Sequence, residues 1–172
     1  VSLKKLDIIA LTDHNSAKNV EATMKAAKGT DLLVIPGMEV ESFEGIHLLC
    51  FFKTLNDIIN FDRVVYDSLP KVENNEAIWG NQFIINEHTE IVGKEKRALS
   101  NPVNLKINAV IDLAHIYNGI VFPAHIDRYA NSIITILGFI PNDLKIHGIE
   151  LKDKKHIGKY RYRTIVNSDA HF

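Results

Sequence analysis

Apolar runs of strand length recur along the chain, and most are separated by stretches with helical spacing. Residues 6–11 form the first run, broken by the polar cluster Thr12-Asp13-His14-Asn15. Ser16 then caps a helix predicted to reach about Lys28, with Gly29 as its stop signal. Residues 32–35 read as a second strand, ended by Pro36-Gly37, and residues 46–52 as a third. Thr54 caps a helix that continues to about Ser68, ahead of Pro70. Residues 71–101 are polar and lack one clear period, so they read as an insertion or long loop with a strand at 82–85. Asn104 caps a helix with apolar positions Ile107, Val110, Ile111 and Ala114, which stops at Asn118-Gly119. A short strand at 120–122 ends at Pro123-Ala124-His125; a helix at about 131–137 and strands at 146–151 and 164–166 complete the pattern. Strands alternating with helices predict a mostly parallel α/β sheet, either open or closed into a barrel.

Ligand-type residues fall at the strand ends. His14 follows the first strand, Glu39 the second and His125 the strand at 120–122, while Asp169 and His171 follow the strand at 164–166. In a parallel sheet these carboxyl ends share one face, where α/β folds place their sites. His47 lies instead near the start of the third strand, and joins them only if that strand is antiparallel or bulged. Imidazole and carboxylate donors from several loops suit zinc, manganese or iron, and a carboxylate such as Glu39 bridging two cations suits water activation for attack on phosphorus. Each residue also has a plainer reading: a lone histidine after a strand as a surface group, Asp13 and Asn15 as turn or cap residues, Glu39 and Glu41 as solvated carboxylates. The coincidence of at least four strand ends favours the ligand set. Arg128, in Ala124-His125-Ile126-Asp127-Arg128, is placed to clamp a phosphate or to pair with a nearby carboxylate. His88, His115, His147 and His156 lack this placement and read as structural or surface residues.

Composition narrows the picture further. With 20 Lys plus Arg against 21 Asp plus Glu, the net charge is -1, which predicts no strong nucleic-acid patch. The single cysteine, Cys50, sits in an apolar run and reads as a buried, inert thiol. No apolar stretch is long enough to span a bilayer, so a cytoplasmic protein with no membrane partner is expected. Neither nucleotide-binding glycine motif occurs, nor a Gly-x-Ser-x-Gly elbow. The chain opens on Val1 and stops at Phe172 just after a ligand motif, which reads as a cut end.

Five segments, Leu11-Thr12-Asp13-His14-Asn15, Pro36-Gly37-Met38-Glu39-Val40, Gly45-Ile46-His47-Leu48-Leu49, Pro123-Ala124-His125-Ile126-Asp127-Arg128 and Asn167-Ser168-Asp169-Ala170-His171, together resemble the PHP superfamily of polymerases and histidinol phosphatases. The closest likeness is to its stand-alone bacterial phosphoesterases. The resemblance implies a distorted (β/α)7 TIM-like barrel, incomplete at both ends, with residues 1–172 as one domain. It also implies two or three divalent metal ions (Zn, Mn or Fe). By the same resemblance Glu39 bridges two metals, His47 and His125 complete one, Asp169 serves the second, and His14 and His171 serve a third. The family's opening His-x-His motif has no counterpart here. The function implied is hydrolysis of a phosphate ester by metal-activated water, with Glu39 central and Arg128 as a phosphate contact. The expected substrate is small and phosphorylated: a nucleotide, a short oligonucleotide or a metabolite. The alternatives are an inactive PHP module and a polymerase-associated one.

Overall fold

The computed structural model describes residues 5–170. Its elements, in order, are β1 (Ile8–Leu11), α1 (Val20–Ala26), β2 (Leu33–Glu41), β3 (His47–Phe51), α2 (Leu55–Ser68), α3 (Glu76–Trp79), β4 (Phe83–Ile85), β5 (Ile91–Lys94), α4 (Ile107–Ile116), β6 (Ile120–Pro123), α5 (Ile133–Leu137), β7 (Ile149–Leu151) and β8 (Thr164–Val166). The helix after Thr54 forms as its spacing predicts. Thr54 Oγ1 accepts the Asp57 N–H, and Ile58, Phe61 and Val65 bury one stripe against the sheet. The first helix starts later than Ser16 because residues 13–15 continue alongside β2: Asn15 N–H donates to Glu39 O and Glu39 N–H to Asp13 O. The cap of α4 also differs. Glu44 Oε2, from the loop between β2 and β3, accepts the Ile107 N–H in place of Asn104.

The expected (β/α)7 barrel is not what forms. Among the described residues the strands make one four-stranded sheet, β1-β2-β3-β6, and two separate pairs, β4-β5 and β7-β8, none of them closed. The cause is local. β2 and β3 are joined by residues 42–46, too short for a crossover, so they pair antiparallel, and β3 pairs antiparallel with β6 as well. Only β1-β2 and β7-β8 are parallel. β7 leans on β6 through His147 N–H to Val121 O and Ile126 N–H to Glu150 O.

The period-2 alternation of the strands divides the sheet into two faces. Met38, Val40, Leu48, Cys50 and Val121 point into the main core, under α2 and α4, where Cys50 is fully buried and its thiol is pushed up by burial. Glu39, Glu41, His47, Leu49 and Phe51 share the other face through the pairs Glu39–Leu49 and Glu41–His47. Glu39, Leu49 and Phe51 of this second face line an open cleft of about 1050 Å³, together with Ile8, Ala10, Phe122 and Ile165. Close packing beside Phe122 leaves no room at Gly148: a Cβ there would lie 2.5 Å from Arg163 O and 2.6 Å from the Phe122 ring. Gly148→Ala is therefore expected to cost about 1–3 kcal/mol by overpacking, read from urea denaturation. An unchanged midpoint would show that Phe122 yields freely.

Residues 71–101 are not a loose loop. They fold as α3 and the β4-β5 hairpin, and Glu95 fastens them to the body. Its carboxylate accepts from Tyr66 Oη at 2.9 Å and the Arg97 N–H at 2.8 Å, and pairs with Lys18.

Candidate metal centre

The antiparallel run of β3 settles where His47 goes. Its first residue lies beside the end of β2, opposite Glu41, and next to the end of β6. The residues that follow β1 bring His14 level with Glu39, with which it forms an isolated parallel bridge. The turn after β6 brings in His125. Three imidazoles therefore converge on Glu39, with His47 in the middle, its ring 5.0 Å from that of His14 and 5.2 Å from that of His125.

Glu39 faces two ways. Its Oε1 lies 2.9 Å from His47 Nδ1 and 3.4 Å from His125 Nε2, while its Oε2 lies 3.8 Å from His14 Nε2. His47 Nδ1 and His125 Nε2 are themselves 3.3 Å apart. Ligand atoms about 2.0–2.1 Å from a tetrahedral zinc lie roughly 3.3 Å from one another. The triangle of Glu39 Oε1, His47 Nδ1 and His125 Nε2 has the size of one face of such a site. His14, Glu39 and His47 also offer ligand atoms within 4.8 Å of one another. His125 Nδ1 is buried with no hydrogen-bond partner among the described residues, so the ring's polar contacts are made through Nε2, toward Glu39 and His47. The donors fit a divalent cation.

The surroundings hold these groups in place. Asn131 Nδ2 donates to Glu41 Oε1 at 3.2 Å, and Glu41 Oε2 lies 3.6 Å from His47 Nε2. Glu150, buried in β7, accepts the His125 N–H at 2.8 Å on Oε2 and Asn167 Nδ2 at 2.9 Å on Oε1. Asp127 accepts the Lys152 and Asp153 N–H groups, tying the turn after β6 to the one after β7. Asn15, His125 and Asp169 all have positive φ, at 47°, 31° and 48°. Such backbone is uncommon for a side-chain-bearing residue and gathers at functional sites.

The electrostatics follow from burial and pairing. Burial opposes ionisation of Glu39, but hydrogen bonds from His125 and His47 and the charge of His14 outweigh it and hold the carboxyl far below its usual range. Burial likewise opposes a charge on His47, yet its bonds to Glu39 and Glu41 prevail and raise its pKa to about 9. Glu150 moves the other way: burial raises it, against its bonds from His125 and Asn167. The raised His47 fixes the sign of a pH effect. With metal removed, its pairing stabilises the fold fully below the ordinary value of 6.5 and is lost as pH rises through about 9. Chelator-treated protein should unfold at lower urea at pH 9.5 than at pH 6, and His47→Gln should flatten the difference. An equal slope in that variant would assign the effect elsewhere.

The other expected site residues lie apart from the triangle. Asp169 lines the same cleft, but its carboxylate is held by Arg128 Nη1 and lies 3.4 Å from Lys152 Nζ. Arg128 is thus an ion-pair partner here, on a half-exposed side chain. His171 lies outside the described residues. His156 pairs with Asp127 at 2.8 Å, and His115 meets His147 edge to face, both away from the cluster. Sequence reading missed Glu150, Lys152 and Asn131, and took Asn15 for a turn residue. A lone carboxylate inside the apolar run 146–151 was the signal for Glu150.

No family model matches this chain, and no curated protein does. Solved structures do. The lesion-specific endonuclease PfuEndoQ from Pyrococcus furiosus superposes with a TM-score of 0.57 at 17% identity, covering 96% of this chain and 40% of that one. Endonuclease Q in complex with a 27-mer duplex substrate, with an abasic lesion at the active site, gives 0.62 at 19% identity, covering 98% of this chain and 42% of that one. The chain thus shares a fold with about two fifths of those proteins. This comparison corrects the expectation of a small phosphorylated substrate and no strong nucleic-acid patch: the similar structure is in complex with a 27-mer duplex. No helix among the described residues is long and apolar enough to cross a membrane.

Proposed function

We propose that this protein hydrolyses phosphodiester bonds in nucleic acid with divalent metal held at Glu39, His47 and His125, in keeping with its PHP-like motifs. The observation that carries the reading is the triangle of donor atoms at metal-ligand spacing, whose Glu39 lines an open cleft. The likeness in fold to endonucleases supports nucleic acid as the substrate class.

Cations bound there would supply Lewis acidity to a phosphoryl oxygen and activate water for attack. The chain's own residues do the rest. Glu39 presents one oxygen to His47 and His125 and the other toward His14, the disposition of a carboxylate shared between two cations. Glu41 and Asn131 hold the His47 ring, and Glu150 holds the backbone of His125. Asp169 is the acidic group next along the cleft. Arg128 and Lys152, gathered on it, provide positive charge where a phosphate backbone would pass.

The test is elemental analysis of protein purified without chelator, followed by cleavage assays on a labelled duplex bearing one abasic site and on the intact duplex. At least one equivalent of zinc, manganese or iron and cleavage abolished by EDTA are expected. Metal-free protein that neither takes up these ions nor cuts either duplex would overturn the reading.

A further inference from the structure

Beside the cluster, sharing Asp13 and His14 with the main cleft, lies a second hollow of about 340 Å³. It is within the size range of small-ligand sites, about 300–1,000 Å³. Asp13 and His14 belong to its lining, and His14 Nε2 lies 3.8 Å from Glu39 Oε2 of the proposed metal centre. One wall comes from residues 71–101: Trp79, Asn81, Phe83 and Ser100. Trp79 is 63% exposed and Phe83 39%, two large aromatic rings left uncovered at the edge of one hollow. Lys94 Nζ sits 5.4 Å from the Phe83 ring centre and donates to Asn81 Oδ1 at 2.8 Å.

The wall is built to stay in place. The Gln82 side chain donates to Glu95 O and Arg97 O and accepts the Leu99 N–H. Asn15 reaches across from the cluster to donate to Leu99 O at 2.8 Å and Asn101 O at 3.0 Å. A backbone anchored this way does not have to be ordered when a ligand arrives, which favours binding.

We propose that this hollow seats one unstacked nucleobase of the strand whose phosphodiester lies at Glu39, with Trp79 as its stacking surface. The proposal rests on the phosphodiesterase reading above. Every base presents a π-face, so an exposed aromatic next to a phosphate site holds a strand without reading its sequence. The Asn81 amide and the Ser100 hydroxyl supply polar contacts to a base edge. An aromatic wall lining the same hollow as His14 fits a nucleotide better than a protein segment, because it sets a π-face beside the proposed phosphate site.

Trp79 is the single tryptophan of the chain, so its fluorescence reports on this hollow alone. The experiment titrates the purified protein with a phosphorothioate-linked thymidine pentamer and with an abasic pentamer of equal charge. Saturable quenching by the first and none by the second is expected. Trp79→Ala, followed by anisotropy of labelled pentamers, should weaken binding of the base-bearing one about 10-fold. It should leave the abasic one, and hydrolysis of a small chromogenic phosphodiester, unchanged. Equal quenching by both pentamers, or unchanged affinity in the variant, would overturn the base seat while leaving the metal centre standing. If neither pentamer binds and the small diester is also untouched, the phosphodiesterase reading itself fails, and the base seat with it.

Discussion

Glu39→Gln is expected to strip the cluster of metal and abolish hydrolysis while the sheet stays folded. Glutamine keeps the volume and can still bond His47 Nδ1, 2.9 Å from the present Oε1. What it removes is the negative charge that three imidazoles surround. Losing an outer partner of a metal ligand costs roughly 10- to 100-fold in affinity, and losing the shared ligand itself should exceed that. Elemental analysis and a chromophoric-chelator competition measure the loss; the urea midpoint checks the fold. Full metal content in the folded variant would remove Glu39 from the centre of the site. The same variant also relieves His47 of the partner that raises its pKa, so the pH dependence of the metal-free protein should shrink with it.

The second large effect is structural and centres on Asn15. This residue is fully buried, has φ of 47°, donates to Leu99 O and Asn101 O, and accepts the Glu41 N–H at 3.1 Å. It links the turn after β1, the end of β2 and the return of the 71–101 segment. Asn15→Ala leaves those backbone groups without their partner, at about 1–3 kcal/mol for each that stays dry. It also puts a β-carbon in left-handed backbone without the local bonding that asparagine offers, at about 1 kcal/mol. A loss of about 3 kcal/mol or more is expected in urea denaturation. Asn15→Gly should recover roughly the conformational part and no more. A loss below about 1 kcal/mol in the alanine variant would mean that water replaces the bonds.

Much of this was legible in the sequence where local rules govern. Thr54 and the 58-61-65 stripe specify α2, and the strand at 164–166 forms where its apolar run lies. The ligand-type residues were visible as polar residues at strand ends, and four of them, His14, Glu39, His47 and His125, do converge. What stayed illegible depends on partners distant in the chain. Strand direction is one such property: the apolar run at 46–52 reads the same in either sense, and only the short link at 42–46 makes β3 antiparallel. The barrel expectation failed there. The 71–101 segment was obscure because its order comes from Glu95 pairing with Lys18 and Tyr66, and from Gln82 and Asn15 bonding its backbone at 95–101, which leaves no period in its own sequence. Asp169 fell at the expected strand end but went to Arg128 and Lys152, a pairing that spacing does not encode.

The hairpin of β2 and β3 carries Glu39, Glu41 and His47 within nine residues of chain, so these three meet through a contact that costs little loop entropy to close. His125 alone of the triangle arrives from afar, 78 residues beyond His47. It comes on the end of β6, the strand that adds to the open edge of the hairpin. The same pairing that completes the four-stranded sheet therefore delivers the third donor. The proposed centre has no separate assembly step: its formation is as cooperative as the sheet, and a chain that has folded this far has already gathered these donors.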